Sequence, residues 1–355
     1  MPFIFSLACF EAKRLKKKTE LRRLKHLRAR SDICTMPDES FLKSFRVDKD
    51  TFKIILQKLQ PHLKTTRLPQ SIQFAAVLRF LATGSFQLCV AKDHHINIGR
   101  STFGKVLHKY IPLMESVLCA ENISLQMTEP QIQQSRENFY RKYQLPRIVA
   151  CIDGTHIRLL KPVQNESVFF NRKGFFSLNA MLICNHNMEI LAVDATHPGS
   201  CHDSFIWKNS QAKNYLSRSI NDNFILADSG YALERFVLTP YRNAELGTFE
   251  HKFNMKHAAA RNIVERTIGV LKSRFRCLQH GLNYEPKFAC KIVNVCCALH
   301  NICRQRNTPS EEYVEHNESL ENDNAENEYE DHQDGVSLRD EIGVSLRDEI
   351  ARIIR

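Results

Sequence analysis

Three aspartates and a glutamate stand out by what surrounds them. Asp153 closes the apolar run RIVACID and precedes Gly154, a place where an ionised carboxylate is costly unless a positive charge meets it. Asp228 repeats the pattern at the end of NFILAD, with Ser229 and Gly230 behind it. Asp203 lies in THPGSCHDS, where small residues let the backbone turn the carboxylate toward the same place. Glu265 falls in a helical run, in phase with His257 and Arg261, while Val264, Ile268 and Leu271 mark an adjacent apolar stripe. Strands ending in Asp-Gly or Asp-Ser-Gly aim their carboxylates at one edge of a sheet, where sites form.

Gathered carboxylates repel one another, and one protonates unless a cation neutralises the group. Oxygen donors without His or Cys suit Mg²⁺ or Mn²⁺. Two such ions about 3.5 to 4 Å apart could activate a water and stabilise the leaving oxygen of a phosphodiester. Arg261 and His257 are placed to steady the phosphate or the carboxylates. Taken singly, an Asp after a strand is more often a turn former or helix cap, so this chemistry depends on convergence.

The elements that must bring these residues together follow from periodicity. From residue 41 to about 145, apolar residues recur at helical spacing: Phe41, Phe45, Phe52, Ile55, Leu56, Leu59, then Ile72, Ala75, Ala76, Leu78 and Leu81. One helix ends at Gly84, and GRSTFGKVLHKYIPLM opens another behind a Ser101 or Thr102 cap. The pair resembles a helix-turn-helix whose second helix would bring Arg100, Ser101, Thr102 and Lys105 to a DNA groove; a plain helical bundle offers the same pieces. After Pro146 the pattern becomes strand-like: RIVACID, then SLNAMLIC and EILAVDA joined through NHNM as a hairpin, then NFILAD. A long helix over roughly 255–275 and a last apolar helix, CKIVNVCCALHNIC, complete the series. The domains expected are a basic segment at 1–40, a helical, helix-turn-helix-like region at 41–145, an α/β domain bearing the four carboxylates at 146–305 and an acidic, disordered tail at 306–355.

Composition narrows the partners. The chain of 355 residues is 43% apolar, enough for a sizeable core. Its net charge of +11 becomes +22 over residues 1–310 once the 11 acidic residues of 311–334, which hold no Lys or Arg, are set aside, since 335–355 is balanced. Such an excess points to a polyanion, nucleic acid above all. Residues 11–30 hold ten Lys or Arg beside Leu15, Leu21, Leu24 and Leu27 on one helical face, a pattern for nuclear import, DNA-backbone contact or a merely solvated helix. The twelve scattered cysteines read as reduced intracellular thiols. No apolar run approaches the ~20 residues of a membrane span, and the opening MPFIFSLACF has its charge on the wrong side for a secretory signal. Cys297, His300 and Cys303 have a zinc-like spacing, but on a helix they line one buried face; His94 and His95 read as surface or turn residues. No glycine-rich phosphate loop is present. The tail carries GVSLRDEI twice, at 335–342 and 343–350, too few copies for a solenoid.

The blocks CIDGTHIRL, NAMLICNHNMEILAVDATHPGSCHDS, LADSGY, HAAARNIVERTIGVLKSRFRCL and CCALHNIC, in this order and with LRFLATGSFQ ahead of them, resemble the PIF/Harbinger transposases, and among these the animal Harbinger transposase-derived nucleases. The likeness runs from about residue 41 to 303. It implies a ribonuclease-H-like mixed sheet flanked by helices and preceded by a helical region, a DDE-type acidic site, and metal-dependent endonucleolytic hydrolysis of DNA. By motif the acidic residues fall on Asp153, Asp203, Asp228 and Glu265, with Asp228 favoured over Asp203 as the middle member. The resemblance also implies a separate Myb/SANT-like DNA-binding partner, since no such module stands in this chain. Residence in the nucleus, and also the cytoplasm, is expected, and a homo-oligomer is one expected state. The alternative reading is a domesticated transposase that keeps the fold as a DNA- or protein-binding module with cleavage weakened or lost.

Overall fold

The computed structural model describes residues 9–16, 18–19, 22–23, 33–309 and 338–353. Half of the expected basic helix over 11–30 and all of the acidic run 311–334 therefore lie outside the described residues, and the described half of the former is helical. The chain forms two compact units, residues 1–118 with 275–280, and residues 119–274 with 281–355.

The first unit is helical, as the periodicity requires. Helices α1 (Asp38–Phe45), α2 (Lys49–Leu59), α3 (Gln70–Thr83), α4 (Gln87–Ala91) and α5 (Arg100–Met114) follow in order. Every apolar residue named above for this region is buried. A run of aromatic contacts, Phe41 to Phe45 and Phe52, Phe52 to Phe74, Phe74 to Tyr110, spans centroid distances of 4.8 to 6.3 Å and ties α1, α2, α3 and α5 into one core. Gly84 ends α3 at φ 65°, and a Cβ there would stand 2.9 Å from the Cys277 backbone, so only glycine fits both the turn and the close approach.

The helix-turn-helix expectation meets a different connection. The short helix α4 stands between α3 and α5, and α5 is capped by extended Gly99 rather than by Ser101 or Thr102. Arg100 is thus the first helical residue. Arg100, Ser101, Thr102 and Lys105 are exposed on the opening turns of α5, while Phe103, Val106 and Leu107 face the core.

The second unit holds a five-stranded sheet in the order β3-β2-β1-β4-β5. Its strands are β1 (Ile148–Arg158), β2 (Ser177–Cys184), β3 (Ile190–Pro198), β4 (Phe224–Leu226) and β5 (Val237–Leu238). β1, β2 and β3 pair antiparallel, whereas β4 lies parallel to β1 and β5 parallel to β4. That mixed order is the ribonuclease-H-like arrangement expected from the motifs. The NHNM turn closes the β2–β3 hairpin, with Asn185 Oδ1 accepting from the amides of Asn187 and Glu189.

Helices cover both faces. On one, α6 (Glu129–Tyr143) and α10 (Phe249–Arg274) pack Phe139, Phe253, Ala260 and Val264 against Cys151, Leu226 and Leu238. On the other, α8 (Asp203–Asn209) and α9 (Gln211–Ser219) bring Ile206, Trp207 and Leu216 against Ala150, Ile152 and Ile225; α7 (Glu166–Phe169) is a short turn between β1 and β2. The compact unit begins ahead of the 146 boundary read from the sequence because Phe139 and Leu145 pack into the same core as β1.

Helix α11 (Pro286–Gln305) explains the CCALHNIC block. Asn301 accepts from the Ile190 amide and donates to its carbonyl, and His300 Nε2 meets the Met188 carbonyl at 2.8 Å, so the helix fastens the β2–β3 hairpin. Burial pushes His300 down to about 4, which keeps it neutral. Cys297 and Cys303 are fully buried, as the packing reading required. None of the twelve cysteines is in a disulfide, and no helix among the described residues is long and apolar enough to cross a membrane.

The tail departs from the expectation of disorder. Leu338–Ile353 forms helix α12, which includes most of the first octapeptide copy and all of the second and joins the core through Ile350 and Ala351, each 1% exposed. Tyr241 donates to Asp348 Oδ1 at 2.6 Å, and the Arg347 guanidinium lies 3.8 Å from the Tyr241 ring centroid. Polar composition hid this because only one face of the repeat is apolar. Replacing Ile350 by Ala is expected to cost about 2 to 5 kcal/mol of the second unit's stability, read by chemical denaturation; a change below about 0.5 kcal/mol would show that α12 does not belong to the core.

Candidate metal centre

β1 and β4 pair parallel, and their ladder ends at Cys151 opposite Leu226. Two residues on, in the same side-chain phase, come Asp153 and Asp228. Both carboxylates therefore leave the sheet on the α10 face, just where the parallel ladder stops and backbone no longer fills the space. The sequence reading put Asp153 at a strand end, but β1 continues to Arg158 because β2 stays paired with it from Cys151 to Arg158. Asp153 is at the end of one ladder and in the middle of the other.

Asp203 arrives from across the sheet as the first residue of α8, behind His202 at the cap. Oxygens of Asp153, Asp203 and Asp228 lie within 4.8 Å of one another, the one such group of three candidate ligands among the described residues. Gly154 makes this approach possible, since a Cβ there would fall on the Asp203 carboxylate. Asn179 of β2, 4% exposed, donates to Asp203 Oδ1 at 2.6 Å and to the Cys201 carbonyl at 3.0 Å, which fixes the carboxylate's direction.

Glu265 stands outside this group on α10, half-exposed. Arg261, one turn before it, donates to Asp153 Oδ2 at 3.1 Å and to Glu265 Oε1, and so links Glu265 to the aspartates. His257 does not reach the site. It is 2% exposed, its Nε2 meets the Leu238 carbonyl at 3.1 Å, and burial pushes it down to about 4, so it is a neutral pin between α10 and β5.

The electrostatics favour a cation. Burial drives the Asp153 carboxyl up to about 7, with Asp228 and Asp203 adding to the shift against the opposing pull of Arg261 and the Gly154 amide. Burial likewise raises Asp228. Tyr231, which follows Asp228 in the DSGY turn, has a buried hydroxyl without a hydrogen-bond partner; burial and then the three aspartates raise its pKa. The Asn179 Oδ1 atom is buried and unpartnered too. An all-oxygen donor set, a carboxyl held from ionising and spare polar atoms nearby fit a hard divalent ion. Asn179, Gly154 and Tyr231 escaped sequence reasoning; the legible signals were a polar residue inside the buried strand SLNAMLIC and the small or aromatic neighbours of the two aspartates.

Residues 152–301 match the family described as DDE superfamily endonuclease. Over 280 residues, 74% of this chain and 79% of the relative, the sequence is 28% identical to human "Putative nuclease HARBI1" and 27% identical to its bovine counterpart. It is also 26% identical to "Protein ALP1-like" of Arabidopsis thaliana over 247 residues, 64% of this chain and 59% of that protein. The resemblance to Harbinger transposase-derived nucleases is thereby borne out. No solved structure matches.

Two outcomes follow. The folded state holds the Asp153 proton up to about 7, whereas an unfolded aspartate releases it near pH 4, so metal-free protein loses stability as pH rises between these values. Asp153→Asn should flatten that part of the profile, read as melting temperature in EDTA from pH 4 to 8; an unchanged slope would contradict the assignment. Gly154→Ala should weaken Mn²⁺ binding at least about tenfold by displacing Asp203, the loss of one charge-assisted ligand, as measured by calorimetry on protein that remains folded.

Proposed function

We propose that this chain is a divalent-metal-dependent endonuclease that hydrolyses DNA phosphodiester bonds. The observation that carries the reading is the convergence of Asp153, Asp203 and Asp228 within 4.8 Å at the end of the parallel ladder. These three would hold Mg²⁺ or Mn²⁺, with Glu265, linked to Asp153 through Arg261, as a further ligand. Bound there, the ion supplies charge neutralisation of a phosphoryl oxygen and a water of lowered pKa.

The chain's own residues prepare that chemistry. Asn179 holds Asp203 in line, and Gly154 leaves its carboxylate room. Arg261 balances Asp153 and Glu265 and keeps Glu265 on the site's side of α10. The buried Tyr231 hydroxyl offers a hydrogen bond to a group entering beside the aspartates. Because Asp153 is held from ionising up to about 7, metal binding and activity should rise through neutral pH as the proton leaves.

One observation favours the alternative of a domesticated binding module: Arg261 already satisfies Asp153 and Glu265 within the protein. DNA as partner is supported by the +22 charge of residues 1–310, and the exposed Arg100, Ser101, Thr102 and Lys105 are proposed as a further contact. A Myb/SANT-like partner protein belongs to the proposal through the resemblance, and nuclear residence through the basic run at 11–30.

Supercoiled plasmid incubated with the purified chain and Mn²⁺ should become nicked, with nicking lost in EDTA and in Asp153→Ala and Asp228→Ala, and reduced in Glu265→Gln. Equal nicking by all variants would assign it to a contaminant and sink the reading. Salt-sensitive DNA binding without any metal-dependent nicking would establish the binding module instead.

A further inference from the structure

A turn between β1 and β2 places positive charge against His202, the residue that precedes Asp203. Asn171, 3% exposed, builds the turn: its Oδ1 accepts from the amides of Lys173 and Phe175, its Nδ2 donates to Ser177 Oγ, and Gly174 closes it at φ 79°. Its exposed corner carries Arg172 and Lys173. Arg172 donates at 2.6 Å to Nδ1 of His202, the residue immediately before Asp203. On the opposite flank, Lys272 of α10 donates to Thr155 Oγ1 at 2.7 Å and to the His156 carbonyl at 3.0 Å, just past Gly154. His156 is bonded through Nδ1 to Ser177 Oγ and lies between these groups; its pKa is lowered by burial and then by Lys173, Lys272 and Arg172 together, which reports that the three cations share one neighbourhood. Neither Arg172 nor Lys173 meets a carboxylate among the described residues, whereas nearby Lys161 is paired with Glu166.

An ordered turn that holds two cations away from any acidic partner, next to a metal-ligating carboxylate, is suited to an anion that arrives with the metal. We propose that Arg172 and Lys173, with Lys272 as the floor, clamp the backbone phosphates of the DNA strand next to the bond to be cut. The proposal rests on the nuclease reading and deepens it by assigning the face over which the strand runs. Phosphate contacts of this kind position the duplex without reading its sequence. Arg172 presents its fork beside His202, and Lys173 acts as a point charge.

The test is binding of a fluorescein-labelled duplex of about 30 base pairs, with Ca²⁺ replacing Mg²⁺, followed by anisotropy over a series of salt concentrations in the full chain. Arg172→Gln/Lys173→Gln should reduce the slope of log Kd against log salt by about 2 and weaken binding roughly tenfold at moderate salt, with Mn²⁺ affinity unchanged. Arg172→Lys/Lys173→Arg, which keeps both charges, should retain the slope. If the Gln variant loses Mn²⁺ binding, Lys173→Gln alone is used, with an expected slope change of about 1. Wild-type binding with an unchanged slope in these variants overturns the clamp and leaves the nuclease reading standing. Failure of the wild type to bind duplex DNA, or preference for duplex RNA, overturns both.

Discussion

Three carboxylates held within 4.8 Å of one another in a partly dehydrated recess are a standing electrostatic cost, and much of the second unit is arranged to impose it. Burial alone lifts Asp153 far above an ordinary aspartate, and its neighbours lift it further. A fold that only needed stability would place apolar or singly charged residues there, since unpaired buried charge is among the most destabilising features a core can contain. The protein offsets part of the cost with Arg261 and leaves the remainder, which a bound cation would offset.

The scaffold that sustains this cost is rigid where the carboxylates attach. Asp153 extends from a strand paired with β2 from Cys151 to Arg158, Asp228 from the strand parallel to it, and Asp203 from a helix whose Trp207 is buried against the opposite face. Asn179 and Gly154 act at the shortest range, one by a hydrogen bond and one by the absence of a side chain. Directions are therefore set by packing before any ligand arrives, the preorganisation that charge-stabilising sites require.

Charge of the other sign is kept at the margin. Arg172 and Lys173 sit on an exposed turn fixed by a buried asparagine, with Arg172 bonded to His202 next to Asp203. Arg261 enters the acidic recess from the helix that also carries Glu265. The same helix is fastened to β5 by His257 and packed by the end of α12, so a segment that reads as a polar tail contributes to holding the site's wall.

The sequence by itself determined the elements and the chemistry. Apolar periodicity marked the helices of the first unit and four strands of the second, and carboxylates after apolar runs marked Asp153 and Asp228, because these signals are local and each follows from the steric period of its element. Tertiary structure decided the rest. Whether Asp203 joins the group depends on a bare Gly154 and on Asn179 from another strand, contacts between residues more than twenty positions apart. His257 shares a helical phase with Arg261, yet one meets the β5 backbone and the other the aspartates, because successive turns of α10 lie over different elements of the sheet. The repeat at 343–350 likewise gains its buried face only from the groove that Tyr241, Phe253 and Leu238 provide, a surface assembled from separate elements and so invisible along the chain.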